Sequence, residues 1–213
     1  MVSIGDKPAA GSDEAESGAP RRIVVFLILA VVFAGAGALR CYNINTPKFS
    51  FHPMRQHRSY AIARAFYFEQ VDGLPEWRKE AALSNKENLE TKEPAIMEVL
   101  VSLAYRAAGG ERAWIAPVFT IFFWLVGGVF VYLITIRYAS PYGAAAATGF
   151  YLFLPFGFFV SRSFQPESFM IMLFLMSLYA IFRYGQKPSG VGLLILAVIS
   201  GFAILVKFII IFP

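Results

Sequence analysis

A chain of 213 residues that is 57% hydrophobic, 16% aromatic and only 15% charged lies far from the soluble average and reads as a polytopic membrane protein. Its formal charge of +5 does not point to nucleic acid, because the 19 basic residues are spread along the chain without the basic block or soluble domain that such binding needs. The single cysteine, Cys41, can form no internal disulfide and leaves the redox compartment open.

In chain order, residues 1–20, MVSIGDKPAAGSDEAESGAP, carry little to bury and are expected to form a disordered cytoplasmic tail. Arg21 and Arg22 then precede the apolar run IVVFLILAVVFAGAGAL, which reads as a first span with its basic flank inside. The small-residue end of that run also fits a cleavable signal peptide. Arg40, directly before Cys41, argues against a lipoprotein-type cut.

Four further apolar stretches follow, Trp114 to Ile136, Tyr142 to Val160, Phe169 to Phe182 and Val191 to Phe212, each read as a span. Ala95 to Ala108, AIMEVLVSLAYRAA, is short and contains Glu98 and Arg106, so it is expected to be interfacial or buried. With that segment kept out, Arg137, Arg183 and Lys187 fall on the same side as Arg21 and Arg22, as the positive-inside rule prefers. The expectation is therefore an all-α polytopic membrane protein with about five transmembrane helices, the amino terminus cytoplasmic, and interfacial helices in a long outer loop, residues 40–112. That loop holds 11 basic and 9 acidic residues, which long loops tolerate because they translocate largely regardless of charge.

The polar clusters FHPMRQHR, KEPAIME and SRSFQPE then face one outer compartment. From Gln56 to Gln70 no Pro or Gly interrupts a helix that sets Ile62, Ala63, Phe66 and Tyr67 on one arc, with His57 and Arg64 elsewhere. Its arginines fit headgroup-level anchoring. Arg55 and Gln56, just after the His52-Pro53 turn, fit a functional role instead. Glu167 follows Pro166 and Glu93 precedes Pro94, so each acid sits at a helix start, where capping and catalysis are both open readings. Arg162 and Glu167 are the only ionised groups between Arg137 and Arg183, close to hydrocarbon where such groups are costly. The span interiors are otherwise free of charge, with Lys207 alone late in the last one. That pattern favours an interfacial enzyme over a transporter, while small-residue runs such as GAAAATG suit a scaffold or an enzyme equally.

The order of one span, an outer loop with FHPMRQ…AIARAFY, an EPAIMEVLVSLAYRAAGG helix, and SRSFQPESFMIMLFL resembles the amino-terminal part of glycosyltransferase family 39-like membrane enzymes, within the GT-C superfamily. The resemblance covers roughly residues 23–213 and makes residues 21–213 one GT-C-like transmembrane domain, truncated relative to longer relatives. It implies transfer of a sugar from a polyprenyl-phosphate carrier to a lipid, glycan or protein acceptor on the outer face of a bacterial plasma membrane. It implies no nucleic acid partner and no certain cofactor, and it leaves a divalent metal open. Arg55, Gln56, Arg58 and Arg162 are the expected donor-phosphate residues, because an anionic leaving group is well met by charge-assisted hydrogen bonds. Glu167, with Glu93 as alternative, is the expected general base. Many superfamily members carry an acid early in the first outer loop, where this chain reads Met54-Arg55-Gln56 and where no acid occurs between Glu16 and Glu69. Activity of the 213-residue chain alone is therefore open, with an inactive fragment or scaffold of the same fold, or a transporter subunit, as the alternatives.

Overall fold

The computed structural model describes residues 13–46, 51–89 and 93–207. Among them the chain is all α-helical, in the order α1 (Asp13–Cys41), α2 (Pro53–Glu69), α3 (Glu76–Glu87), α4 (Ile96–Ala107), α5 (Ile115–Thr135), α6 (Pro141–Phe153), α7 (Pro155–Val160), α8 (Glu167–Gln186) and α9 (Gly190–Val206). The expectation of a tail over residues 1–12 lies outside the described residues, and α1 extends back past the apolar run to Asp13.

Three helices are each long and apolar enough to cross a membrane: Arg21–Cys41, Ile115–Thr135 and Glu167–Gln186. α9 is apolar but shorter, and residues 208–213 of the expected last span lie outside the described residues. The stretch Tyr142 to Val160 is two helices rather than one. Leu154, at ψ 125, is extended because the Pro155 ring disfavours the α conformation in the residue before it. Pro155 then opens α7 from its first position, where a missing N–H costs nothing.

Ring and glycine contacts set the helix directions. Phe123 meets Phe169, and Phe130 meets Tyr179, so α5 and α8 run parallel. Phe202 returns to Phe169, so α9 runs against α8. Gly128 packs on Leu152 while Gly157 packs on Trp124, so α6 and α7 run against α5. Cys41, Val160, Glu167 and Lys207 therefore share one end of the bundle, and Arg137, Arg183 and Lys187 share the other.

α2, α3 and α4 form a cap at the first end. The sequence arc holds: Ile62, Ala63 and Tyr67 are buried, Phe66 is half-buried, and His57 and Arg64 are exposed. α4 buries Met97, Val101 and Tyr105 on a four-residue repeat and exposes Val99 and Leu103 on its other side. Twelve residues span only about 18 Å at 1.5 Å per residue, too short to cross a bilayer.

One buried cation ties the bundle together. Arg40 is 0% exposed. Its Nε donates to Ser161 Oγ at 2.7 Å, its Nη1 to the Ala36 carbonyl at 3.2 Å and its Nη2 to the Leu152 carbonyl at 2.6 Å. Leu152 lies in the last turn of α6, where carbonyls lack helical partners, so the guanidinium satisfies what the Pro155 break leaves unbonded.

Candidate active site

The cluster is assembled by the start of α2. Pro53 occupies its first turn, and His52 before it takes a left-handed conformation, φ 48, which bends the chain into the helix. Gln56, 1% exposed, then fastens this turn to the segment leading into α8. Its Nε2 donates to the Phe51 carbonyl at 2.6 Å and its Oε1 accepts from the Phe164 N–H at 3.4 Å, while Gln165 Nε2 donates to the same Phe51 carbonyl at 3.2 Å. With 51–56 tied to 164–165, Arg55 is brought against Glu167.

Four charges meet there. Arg55 Nη1 lies 2.7 Å from Glu167 Oε1, and Arg55 Nη2 lies 3.9 Å from Glu93 Oε2. Lys207 Nζ lies 2.9 Å from Glu167 Oε1 and 3.4 Å from Glu93 Oε1. The two carboxylates thus stand between two cations, with balanced formal charge. Glu93, Glu167 and Lys207 are largely buried, whereas the Arg55 side chain is 37% exposed and forms the open side of the cluster. Glu167 Oε2 is buried and has no hydrogen-bond partner among the described residues. One oxygen of this carboxylate is thus held by two cations, while the other keeps its capacity to accept a hydrogen bond.

Of the residues expected at the site, Arg55, Glu93 and Glu167 are brought together. Gln56 is beside them but buried in the tie just described. Arg58 lies on α2 facing a separate cavity. Arg162 is directed toward α1, with Nη2 donating to the Tyr42 carbonyl at 2.6 Å and the guanidinium 5.1 Å from the Phe158 ring centre. Burial lowers the Arg162 pKa, and the nearby Cys41 opposes this. Lys207 was not anticipated as a site residue. The available signal was its isolation, since a lone cation at the end of an apolar segment needs an anionic partner. Among the described residues no three His, Cys, Asp or Glu side chains are grouped to hold a metal ion.

Beside the cluster, Glu98 on α4 is 8% exposed and accepts a hydrogen bond from Ser59 Oγ at 2.7 Å. Its pKa is raised, chiefly by burial, against the opposing pull of Ser59 and of the Arg58 charge.

Residues 92–212 match the family model described as dolichyl-phosphate-mannose-protein mannosyltransferase, and this match takes in Glu93, Arg162, Glu167 and Lys207. No curated protein and no solved structure matches the chain. Because the match covers more than half of the residues, and the helices around it form an apolar bundle, the chain belongs to the dolichyl-phosphate-mannose-protein mannosyltransferase family, a GT-C group of integral membrane glycosyltransferases.

Proposed function

We propose that this protein transfers a sugar from a polyprenyl-phosphate carrier to an acceptor hydroxyl at the end of the bundle where Arg55, Glu93, Glu167 and Lys207 meet. The observation that carries this reading is the convergence of those four groups from four separate segments, beside hydrocarbon, with one Glu167 oxygen left unclaimed. The acceptor oxygen forms the new bond to the anomeric carbon as Glu167 takes its proton. The bond from that carbon to the phosphate oxygen breaks, and the carrier phosphate leaves with the electron pair. Arg55, the exposed member of the cluster, meets the charge that develops on that phosphate. Lys207 keeps Glu93 and Glu167 compatible in one small volume. Gln56 serves by holding Arg55 in place, and Arg162 by bracing the end of α1.

The positive-inside rule orients the bundle. Arg137, Arg183 and Lys187 gather at the end opposite the cluster, which supports reading that end as cytoplasmic and the reactive end as external.

The test is transfer of a labelled sugar from polyprenyl phosphate by membranes holding the full-length protein. Arg55→Gln and Glu167→Gln are each expected to abolish transfer while the protein still accumulates in the membrane. Unchanged transfer in both variants overturns the assignment.

A further inference from the structure

α2 and α4 lie parallel in the cap and meet at two levels. Far from the four-charge cluster, the Tyr67 and Tyr105 ring centres are 5.9 Å apart and Arg106 Nη1 donates to Gln70 Oε1 at 3.5 Å. Near the cluster, Ser59 Oγ donates to Glu98 Oε1 at 2.7 Å, between two residues that are 4% and 8% exposed. Ser59 follows Arg55 by one helical turn and so lies on the same face of α2. Glu98 lies in the first turn of α4, five residues after Glu93. The bond therefore registers the segment that carries Glu93 against the helix that carries Arg55.

That register decides how Arg55 is held. Gln56 fixes Arg55 from the α8 side, where Nη1 lies 2.7 Å from Glu167. Glu93 stands 3.4 Å from Lys207 but 3.9 Å from Arg55 Nη2, so it leans on the lysine and leaves one guanidinium nitrogen loosely held. Were Glu93 to close on Nη2 as Glu167 has closed on Nη1, two carboxylates would compete with an incoming phosphate for one guanidinium.

The charge of Glu98 acts in the same direction. Arg58 on α2 attracts it and Glu93 repels it, while α5, which also packs on α4, carries no charged side chain. Burial outweighs the pull of Ser59 and Arg58 and favours the neutral carboxyl. Neutral Glu98 leaves the two acids and two cations of the cluster in balance. Ionised Glu98 adds a third carboxylate beside Glu93.

We propose that Glu98 is a positioning residue of the reactive end: uncharged and bonded to Ser59, it holds Glu93 back from Arg55, so that the guanidinium stays available to an anionic phosphodiester. The inference rests on the transfer reading for the identity of that ligand. It adds that affinity is set from α4, by a buried carboxyl one helical turn away from the contact.

The experiment measures the affinity of the full-length protein in detergent for polyprenyl-phosphate mannose, without acceptor, as a function of pH. The phosphodiester stays singly ionised throughout, so its own charge does not shape the curve. The parent is expected to bind about two- to fivefold more weakly as pH rises through the Glu98 titration, the scale of one charge beside a partly exposed arginine. Glu98→Gln keeps an oxygen for Ser59 and carries no charge. It is expected to bind as the parent does at low pH and to lose the fall at higher pH. His52 and His57, at the start of α2, are common to both proteins and cancel from the difference. Ser59→Ala is expected to bind about threefold or more weakly and to move the fall to higher pH, because the hydroxyl that favours the ionised carboxylate is gone. Ser59→Thr is expected to restore both. Loss of folded protein lowers the number of sites and not the affinity of those that remain, so a merely structural role leaves the affinity unmoved. Parallel pH curves for the parent and Glu98→Gln, a Ser59→Ala affinity equal to the parent's, or no binding by the parent overturns the proposal. Binding that follows Ser59 and Glu98 in a parent that transfers no sugar defeats the transfer reading alone. Transfer with binding indifferent to both residues defeats this inference alone.

Discussion

Arg55 Nη1 and Glu167 Oε1 lie 2.7 Å apart although 112 positions separate them in the chain, and the same carboxylate oxygen is reached by Lys207 Nζ at 2.9 Å. One carboxylate oxygen thus carries two cations while its sister atom carries no partner among the described residues. Glu167→Gln keeps the shape and removes both the charge and the basicity. The expected result is a fall in transfer of ~10²–10⁴-fold, the usual scale for loss of a general base. The rate of labelled-sugar transfer under saturating donor measures it.

Lys207 is the only cation that contacts both Glu93 and Glu167 within 3.5 Å among the described residues. Lys207→Met leaves two largely buried carboxylates facing each other with Arg55 alone. The expected cost is about 2 kcal/mol or more, below the ~3–5 kcal/mol of a fully broken buried pair because Arg55 remains. Thermal unfolding in detergent checks this, and Tm equal to that of the parent protein counts against it. Lys207→Arg, which keeps the charge, is expected to unfold closer to the parent.

Arg40→Met removes the guanidinium that joins Ala36, Leu152 and Ser161. Methionine fills the volume but leaves the Leu152 carbonyl without its donor at the Pro155 break. A loss of about 2–4 kcal/mol is expected. Arg40→Lys is expected to recover only part of it, since an ammonium cannot reproduce the fork that reaches three oxygens from one rigid plane. Limited proteolysis at the α6–α7 junction offers a local readout beside Tm.

Glu98 predicts a pH dependence of stability. Its folded pKa is raised above the unfolded value, chiefly by burial. In the window between the two values the folded chain binds more protons than the unfolded one, so stability falls as pH rises through that window. The favourable contribution is complete below the unfolded carboxylate pKa and lost above the raised one. Glu98→Gln retains an oxygen for the Ser59 hydroxyl and removes the titration. The variant is expected to be more stable than the parent at neutral pH and to show a flatter Tm profile on the acid side. Parallel profiles for the two proteins would refute the assignment.

Gly157 sits against the Trp124 indole so closely that an added Cβ would overlap its ring. Trp124 is 3% exposed and stacked on Tyr151, with centroids 4.7 Å apart, so it has little room to retreat. Gly157→Ala is expected to cost about 1–3 kcal/mol through overpacking. Gly185, with open space around its Cβ position, is the control, and Gly185→Ala is expected to be neutral or slightly stabilising.

Much of the site was legible in its parts. The HPMRQ turn, the acid before Pro94 and the acid after Pro166 each marked a helix start near hydrocarbon, and three of the residues singled out there, Arg55, Glu93 and Glu167, meet in space. Arg162 was singled out on the same grounds yet turns to the Tyr42 carbonyl, because it lies in the turn between α7 and α8, where no helical period sets the direction of a side chain. Lys207 and Arg40 were visible only as isolated charges beside apolar runs. Nothing local states which distant oxygen such a charge will find.

Composition and periodicity by themselves determined that this chain is an α-helical membrane protein, that residues 96–107 do not span, and that its polar clusters gather at one end. Those properties follow from hydrophobic burial and helix length, which are summed along the chain. Tertiary structure alone decided that Arg55, Glu93, Glu167 and Lys207 form one cluster and that Arg40 heals the break at Pro155. These depend on the relative rotation of packed helices, where a few degrees decide which charges touch, and no single segment encodes that angle.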